Sequence, residues 1–534
     1  MYDILIKNGR VIDGSGTPWF YGDIAVSGGK IVKISRPIRE TAWRIIDVRG
    51  NIVCPGFIDI HSHSDLALLV NPLAESKVRQ GVTLEVGGNC GHSPAPVTDR
   101  WEEDLKRELK INYGLKLQWR GFGEFLDIIQ TRGISVNYAS LVGHEAVRKC
   151  VLGYRNTRPS AEDLHKMGDM VSNAMKQGAF GISTGLIYPP GSYADTDEII
   201  FLAGIAGNCG GYYATHMRDE GDHLLEAVKE AVLIGERAGI PVQISHHKAV
   251  GKPNWGKVKD SLALMEEARE RGIDVTCDQY PYTAASTNLS SIIPDRFHDG
   301  GSGELIRKLK DPQIRKELKK EITREQLNKG GWAVIFISSV GCSKNKWLEG
   351  KNLEEIGKAL SKDPCDAALE LIIEEKDRVE MIRFGMDEGD IRCVMKHRLT
   401  MIGSDGSARA NYGVLGTGKP HPRSYGTFAR VLGRYVREEK VLTLEEAVKK
   451  MTGLPAWRLG IKDRGLLKEG NWADITVFDP GKIEDTATYF EPHRYARGIL
   501  YVIVNGRLVI DEGEHTGELS GMVLRKNQKR VQII

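Results

Sequence analysis

The stretch FIDIHSH, residues 57–63, decides the fold, because it joins an apolar run directly to two histidines separated by one residue. Successive side chains of a β-strand point to opposite faces, so His61 and His63 point to the same face. Two imidazoles on one face at the end of a buried strand can bind one divalent metal ion. The stretch therefore predicts a buried strand that ends in a metal site.

Short apolar runs that end in a polar residue recur along the middle of the chain. Helical stretches separate them, for instance 224–238 and 258–271, and this alternation is typical of a parallel βα fold. Eight such runs predict a TIM-like (β/α)8 barrel of class α/β, in which catalytic groups lie at the carboxyl ends of the strands. The runs end near His61, Cys90, His144, Thr184, His216, His246, Tyr280 and Asp405.

Both ends of the chain show the two-residue alternation of β-strands. We expect residues 1–55 and 471–534 to build one small β-sandwich domain, with the barrel, 56–470, between them. About 120 residues separate the seventh run from the eighth, whereas a βα unit needs about 30. We therefore expect an insertion at about 284–395 that forms a lid or a side domain.

The insertion has its own predicted elements. The apolar run 332–337 predicts a strand, and the Lys- and Glu-rich stretches near 303–328 and 366–382 predict helices.

Composition and charge limit the classes of function. The chain has 534 residues and a net charge of only +3, which does not predict binding to nucleic acid or to an anionic membrane. No apolar run reaches the ~18 residues of a membrane span, and the N-terminus lacks the features of a signal peptide. The eight cysteines are scattered without tight pairing, which favours reduced thiols. We expect a cytoplasmic protein without nucleic-acid or membrane partners; its oligomeric state is open.

Six candidate metal ligands follow the apolar runs, so a barrel would direct all of them toward one point. Imidazole, thiolate and carboxylate together suit zinc, which accepts nitrogen, sulfur and oxygen ligands. The candidates are His61, His63, Cys90, His216, His246 and Asp405.

An ordered set of six motifs carries a resemblance to a known family. The ligand pattern resembles that of the amidohydrolase superfamily: two histidines after strand one, single ligands on strands five and six, and an aspartate on strand eight. The other motifs resemble its D-aminoacylase (N-acyl-D-amino-acid deacylase) family. The resemblance extends over nearly the whole chain, as far as Asp474. The motifs are HSH at 61–63, GNCG at 88–91, GLIYPPG at 185–191, SHHK at 245–248, SDG at 404–406 and HPRSYGTF at 421–428.

The resemblance implies zinc-dependent hydrolysis of the amide bond of small N-acyl-D-amino acids, which yields a carboxylate and a free D-amino acid. Cys90, His216 and His246 would hold one zinc ion tightly, with Cys90 in the place of the carboxylated lysine that bridges two metals in most related hydrolases. A second, weaker site would consist of His61, His63 and Asp405.

The resemblance also implies roles toward the substrate. Asp405 would be the general base and later the general acid. Lys248 and Arg423 would bind the α-carboxylate with help from Tyr280 or Tyr282, and Tyr188 could donate a hydrogen bond to the carbonyl oxygen.

One loop departs from the family pattern. Residues 408–420 form an expanded Gly-rich run that includes Tyr412, and it would border the pocket. The preferred side chain of the substrate, whether apolar, Asp-like or Glu-like, is therefore open.

Three other functions use the same fold. A peptidase that acts on dipeptides with a C-terminal D-residue would use the same chemistry. A cyclic amide hydrolase, such as a dihydroorotase or hydantoinase, is disfavoured because the fourth run ends GIST, 181–184, without a lysine to carboxylate. A barrel that serves only as a scaffold is disfavoured because Asp405 accompanies a full ligand set.

Overall fold

The computed structural model describes residues 1–526, so the last eight residues of the predicted C-terminal segment lie outside the described residues. The strands, in chain order, are β1 (Tyr2–Val11), β2 (Phe20–Ser27), β3 (Lys30–Ser35), β4 (Ala42–Asp47), β5 (Ile52–Pro55), β6 (Phe57–Asp59), β7 (Val82–Gly87), β8 (Asn137–Ser140), β9 (Val142–Gly143), β10 (Gly181–Gly185), β11 (Tyr212–His216), β12 (Val242–Ile244), β13 (Val275–Gln279), β14 (Ala284–Asn288), β15 (Ile335–Ser339), β16 (Glu380–Phe384), β17 (Thr400–Ile402), β18 (Ile475–Phe478), β19 (Ile499–Val504), β20 (Arg507–Asp511) and β21 (Glu514–His515).

Helices separate the strands of the barrel and fill the insertion. The α-helices are α1 (Ala67–Val70), α2 (Glu75–Val78), α3 (Asp99–Glu108), α4 (Phe122–Arg132), α5 (His144–Leu152), α6 (Ala161–Lys176), α7 (Thr196–Asn208), α8 (Leu224–Ala238), α9 (Val258–Glu270), α10 (Gly301–Leu309), α11 (Pro312–Asn328), α12 (Leu353–Leu360), α13 (Pro364–Glu374), α14 (Glu388–Lys396), α15 (Arg423–Arg430), α16 (Leu444–Met451) and α17 (Gly453–Leu459). Within residues 1–526, none of the helices combines the length and apolar composition needed to cross a membrane.

The predicted parallel (β/α)8 barrel is confirmed. Strands β6, β7 and β8 form one parallel run, and β9 to β13 followed by β17 form another. Only Leu141 separates β8 from β9, so these two segments serve as one strand of the eight. A parallel bridge between Ser62 and Gly406 joins the first strand to the last. The strands are buried throughout because helices cover the outer face of the parallel sheet.

The two ends of the chain meet in one nine-stranded sheet of order β21-β20-β19-β18-β5-β1-β2-β3, with β4 paired to β1. The joint between the ends is the antiparallel pair of β18 and β5, in register from Ile475 opposite Pro55 to Phe478 opposite Ile52. This sheet encloses an apolar core of its own. Only Gly56 separates β5 from β6, so the sheet connects directly to the first barrel strand. The bounds 1–55, 56–470 and 471–534 stay a prediction.

The insertion between the seventh and eighth barrel strands is present and has a separate hydrophobic core. Its antiparallel sheet has the order β14-β16-β15, and β15 begins three residues later than the predicted strand. The predicted helix 303–328 is two helices, because Asp311 caps α11 and Pro312 occupies its first turn. The predicted helix 366–382 is wrong beyond Glu374: Lys376 and Asp377 have positive φ, which ends the helix, and β16 follows.

Candidate metal centre and active site

The barrel brings all six candidate ligands to its carboxyl-terminal edge, each at the end of a strand or within four residues after it. His61 and His63 follow β6, Cys90 follows β7, and Asp405 follows β17. His216 is the last residue of β11, and His246 comes two residues after β12. All are buried except His63, whose side chain is 30% exposed.

The ligand atoms form two groups that share Cys90. In one group, the donor atoms of Cys90, His216 and His246 lie within 4.8 Å of one another; in the other, those of His61, His63, Cys90 and Asp405 do so. The Cys90 Sγ atom lies 3.3 Å from His61 Nε2 and 3.5 Å from His246 Nε2. The thiol therefore stands between the two groups.

Three of the ligands have a strained backbone. Cys90, His246 and Asp405 have φ values of 51°, 36° and 49°, in the left-handed region that side chains other than glycine rarely adopt. Such residues cost about 1–3 kcal/mol each and persist where the surrounding structure fixes them, often at functional sites. The Asp405 amide donates to the His61 carbonyl at 2.8 Å, and the His246 amide donates to Asp278 Oδ1 at 2.9 Å.

The electrostatics of the site keep its acids ionised. Burial by itself raises the pKa of the Cys90 thiol, but the imidazoles of His61 and His246 outweigh this effect and hold the pKa well below its usual value. Burial also raises the pKa of the Asp405 carboxyl, and here the Arg423 guanidinium and the histidines hold it well below its usual range. A thiolate and a carboxylate are the forms that bind a metal.

Two buried carboxylates that the sequence analysis did not single out orient the histidines. Asp278 Oδ1 accepts from His61 Nδ1 at 3.1 Å, and His246 Nδ1 lies 3.0 Å from Glu220 Oε1 and 2.7 Å from Lys248 Nζ, which is itself paired with Glu220. A carboxylate on one ring nitrogen leaves the other nitrogen free to bind metal. Asp278 could have been found from the sequence, because a carboxylate inside a buried strand needs a polar partner. Glu220 lies in a loop, where no local pattern marks it.

The residues present fit a metal ion of the zinc type. Nitrogen, sulfur and oxygen donors converge in a buried space, and one of them, His216 Nε2, has no hydrogen-bond partner within residues 1–526. A buried ring nitrogen without a partner is costly unless a ligand satisfies it. The donor set and this atom together indicate a metal-binding cluster.

Lys248, Tyr280 and Arg423, three of the predicted substrate residues, come together beside the ligands. The ring of Tyr280 contacts both cations, with its centroid 5.5 Å from Lys248 Nζ and 4.9 Å from the Arg423 guanidinium carbon. Lys248 Nζ forms an ion pair with Glu220 Oε1 at 2.6 Å, and Arg423 Nη1 forms one with Asp405 Oδ2 at 2.8 Å.

Tyr282 lies next to Tyr280 and lines the same cavity as Lys248, but its polar contacts are with other residues. Its hydroxyl donates to Asp485 at 3.5 Å, and its ring lies under Arg430 and against His421. Of the two tyrosines, Tyr280 is the one that contacts the predicted carboxylate-binding cations.

Tyr188 reaches the metal ligands from the loop after β10. Its ring packs edge-on against His216, with centroids 5.0 Å apart. Its hydroxyl accepts a hydrogen bond from Thr287 Oγ1 at 3.1 Å, and Thr287 belongs to the insertion strand β14.

A parallel barrel that gathers imidazole, thiolate and carboxylate at its carboxyl edge, next to paired cations, defines a metal-dependent hydrolase. A sequence profile described as "Amidohydrolase family" matches residues 44–290 and 378–510. The unmatched stretch between them falls within the insertion.

Relatives extend over the full length of the chain. A D-aminoacylase of Alcaligenes xylosoxydans xylosoxydans is 37% identical over 525 residues, 98% of each chain. A solved D-aminoacylase, whose binuclear metal centre is described in terms of one-metal activation and second-metal attenuation, has a TM-score of 0.84 and 36% identity, with 98% of this chain and 100% of that chain covered. The N-acyl-D-glutamate deacylase of Bordetella bronchiseptica, solved with zinc and a phosphonate mimic of the tetrahedral intermediate, has a TM-score of 0.83, 34% identity and the same coverage.

The chain therefore belongs to the amidohydrolase family, within its group of D-aminoacylases and N-acyl-D-amino-acid deacylases, and the predicted membership is confirmed.

Proposed function

We propose that this protein hydrolyses the amide bond of N-acyl-D-amino acids, small molecules that it converts to a carboxylate and a free D-amino acid, with zinc as its cofactor. The observation that carries the proposal is the pair of donor groups that share Cys90, with the Asp405–Arg423 ion pair at their edge. The full-length similarity to enzymes named for this reaction supports it.

Cys90, His216 and His246 hold the tight zinc site in this proposal, and His61, His63 and Asp405 belong to a weaker second site. Bound zinc polarises the carbonyl and acidifies the attacking water. The contacts of Glu220 and Asp278 support these assignments, because each orients a histidine on one side of Cys90.

Asp405 moves the proton. The ion pair with Arg423 keeps the carboxylate ionised, and its oxygens are the acceptors that can take a proton from the attacking water and then deliver it to the leaving nitrogen. Tyr188 donates a hydrogen bond to the carbonyl oxygen as negative charge develops there. Burial raises the pKa of Tyr188 well above its usual value, so the phenol keeps the proton that it donates.

The α-carboxylate of the substrate binds between Lys248 and Arg423, with Tyr280 beside it. Both cations are buried and already paired with acids of the protein, Glu220 and Asp405. The Arg423 guanidinium can donate to two oxygens at once. It can therefore bind a substrate carboxylate while it remains paired with Asp405. This arrangement favours substrates with a free carboxylate over neutral amides.

We place the protein in the cytoplasm. All eight cysteines are free, and three of them are fully enclosed in the core: Cys54, Cys277 and Cys365. Reduced thiols without any disulfide within the described part of the chain are typical of a reducing compartment.

Turnover of N-acetyl-D-methionine, compared with its L-isomer and with dihydroorotate, tests the proposed function. We expect hydrolysis of the D-isomer alone, loss of activity after zinc removal, and recovery when zinc is returned. N-acetyl-D-glutamate and N-acetyl-D-aspartate in the same assay determine the preferred side chain. Turnover of only the cyclic substrate would overturn the proposal, and an unchanged rate in Asp405→Ala would overturn the role of Asp405.

A further inference from the structure

The insertion contributes a side chain to the site that the barrel ligands do not provide. Thr287 lies on β14, in the first strand of the insertion, and its Oγ1 donates to the Tyr188 hydroxyl at 3.1 Å. This is the one side-chain hydrogen bond of that phenol within residues 1–526. A threonine from the insertion thus meets a tyrosine from the loop after β10.

Residues of the barrel hold β14 in place. His421 Nε2 donates to the Ala284 carbonyl at 2.8 Å, and Arg423 Nη2 donates to the Ser286 carbonyl at 3.4 Å. On its other edge, β14 pairs antiparallel with β16, so that Thr287 lies opposite Met381. The position of the Thr287 hydroxyl is therefore fixed from both sides.

The direction of the hydrogen bond has a chemical consequence. A phenol has one proton to donate and lone pairs that accept. When Thr287 donates to the Tyr188 oxygen, it occupies a lone pair and leaves the phenolic proton free for another acceptor. The ring of Tyr188 is held at the same time by its edge-on contact with His216, so the free proton is directed along a fixed axis beside the ligands.

We propose that Thr287 is a positioning residue that orients the Tyr188 hydroxyl toward the carbonyl oxygen of the substrate, so that the insertion completes the active site. The inference rests on the proposed function, in which Tyr188 is the donor to that oxygen. Substrate then meets a donor whose orientation is determined by the strand β14 before binding.

Valine has nearly the shape of threonine and carries a methyl group in place of the hydroxyl. Serine keeps the hydroxyl and lacks only the methyl group. We expect Thr287→Val to lower kcat about tenfold, the effect of one misdirected hydrogen bond, with a much smaller change in KM. Thr287→Ser should stay within about threefold of the parent. Asn288→Ala, an exposed neighbour on the same strand, should leave kcat and KM unchanged.

A double-mutant cycle with Tyr188→Phe separates positioning from a general structural role. If Thr287 acts through the phenol, Thr287→Val has no further effect on kcat in the Tyr188→Phe background. Calorimetric binding of a phosphonate analogue of the tetrahedral intermediate gives a second measurement: Thr287→Val should weaken binding in the parent and not in Tyr188→Phe.

Three outcomes would count against these conclusions. An equal fall in kcat and phosphonate affinity in both backgrounds, or no fall in either, would overturn the role of Thr287 while the parent enzyme stays active. A parent protein that neither hydrolyses an N-acyl-D-amino acid nor binds the phosphonate would overturn the proposed function and this inference with it.

Discussion

Cys90 connects the two halves of the ligand set. Its Sγ atom contacts His61 on one side and His246 on the other, and it belongs to both groups of donor atoms. His61 belongs to only one of them. Loss of the thiolate therefore disturbs both groups, whereas loss of His61 leaves Cys90, His216 and His246 together.

This difference predicts unequal metal loss. We expect Cys90→Ser to lose most of its bound zinc and His61→Asn to retain the tightly held ion, because only the first change removes a ligand of that site. Elemental analysis of the purified variants checks the ranking. Equal zinc contents in the two variants would show that the tight site does not centre on Cys90.

Glu220 acts on the site through other side chains. Its carboxylate is shared by Lys248 Nζ and His246 Nδ1, and burial would raise its pKa were it not for the Lys248 ammonium, which lowers the pKa well below its usual range. In the proposed zinc site, this ionised carboxylate would make His246 Nε2 a better metal ligand.

Replacing Glu220 with glutamine keeps the shape of the side chain and removes its charge. We expect the zinc affinity of Glu220→Gln to fall about 10–100-fold, as for other groups that orient a histidine ligand. Competition with a metal chelator measures this affinity. Glu226→Gln, an exposed change on α8, serves as the matched control, and identical affinities in both variants would contradict the role of Glu220.

At the scale of elements, a buried lysine joins the first barrel strand to the last. Lys77 at the end of α2 forms ion pairs with Asp59 of β6 at 2.6 Å and with Glu85 of β7 at 3.2 Å. It also donates to Ser404 Oγ at 2.8 Å and to the Gly406 carbonyl at 3.1 Å, on both sides of Asp405. The segment that carries Asp405 is therefore attached to the strand that carries His61 and His63.

Removing the lysine leaves two buried carboxylates without a cation. We expect Lys77→Met to lower the free energy of unfolding by about 3–5 kcal/mol, the usual cost of breaking a buried pair by removing one partner. Urea denaturation measures the change. Lys33→Met breaks only an exposed pair with Glu40, so its unfolding midpoint should barely move; a similar midpoint for Lys77→Met would contradict the importance of the buried network.

The insertion shows how elements far apart in the chain share one site. Its helices and its sheet have a core of their own, yet β14 contacts Tyr188 through a side-chain hydroxyl and contacts His421 and Arg423 through two backbone carbonyls. The insertion was expected to form a lid or a side domain. Its strand β14 also contributes polar groups beside the site.

At the scale of the whole molecule, we expect stability to depend on pH through a buried lysine on α16. Lys450 on α16 is buried and donates to the carbonyls of His397 and Thr400, where β17 begins. Burial lowers its pKa from 10.5 to about 8. The folded protein thus holds this proton less tightly than the unfolded chain does. The buried ammonium therefore lowers the free energy of unfolding by its full amount below pH 8, and this loss of stability disappears as the pH rises toward 10.5.

The free energy of unfolding should therefore gain up to about 3 kcal/mol from Lys450 across this window. Lys450→Met has no such group, so its stability should rise less between pH 8 and 10.5 than that of the parent. Urea unfolding at a series of pH values in the window gives the comparison, with Lys449→Met, an exposed change, as control. Parallel pH profiles for parent and Lys450→Met would contradict a buried charge at this position.

Local patterns were sufficient for the barrel and for the edge at which its candidate metal ligands lie. An apolar run that ends in a histidine, cysteine or aspartate encodes both the strand and the edge at which its last side chain lies, so the positions of His61, Cys90, His216, His246 and Asp405 could be predicted. Periodicity also located α8 and the first residue of α9. The predicted helix at 366–382 is too long because it ends at residues other than glycine with positive φ, and such residues give no signal in the sequence.

The sequence by itself thus determined the strand order, the set of donors and the family, because each depends on residues close together in the chain or on motifs in a fixed order. Only the tertiary structure decided that Cys90 lies between both groups, that Glu220 and Asp278 orient the histidines, and that Thr287 meets Tyr188. Those contacts join residues from different elements, from 26 positions apart for Glu220 and His246 to 217 for His61 and Asp278. Distances between such residues depend on how the elements pack, which no local pattern encodes.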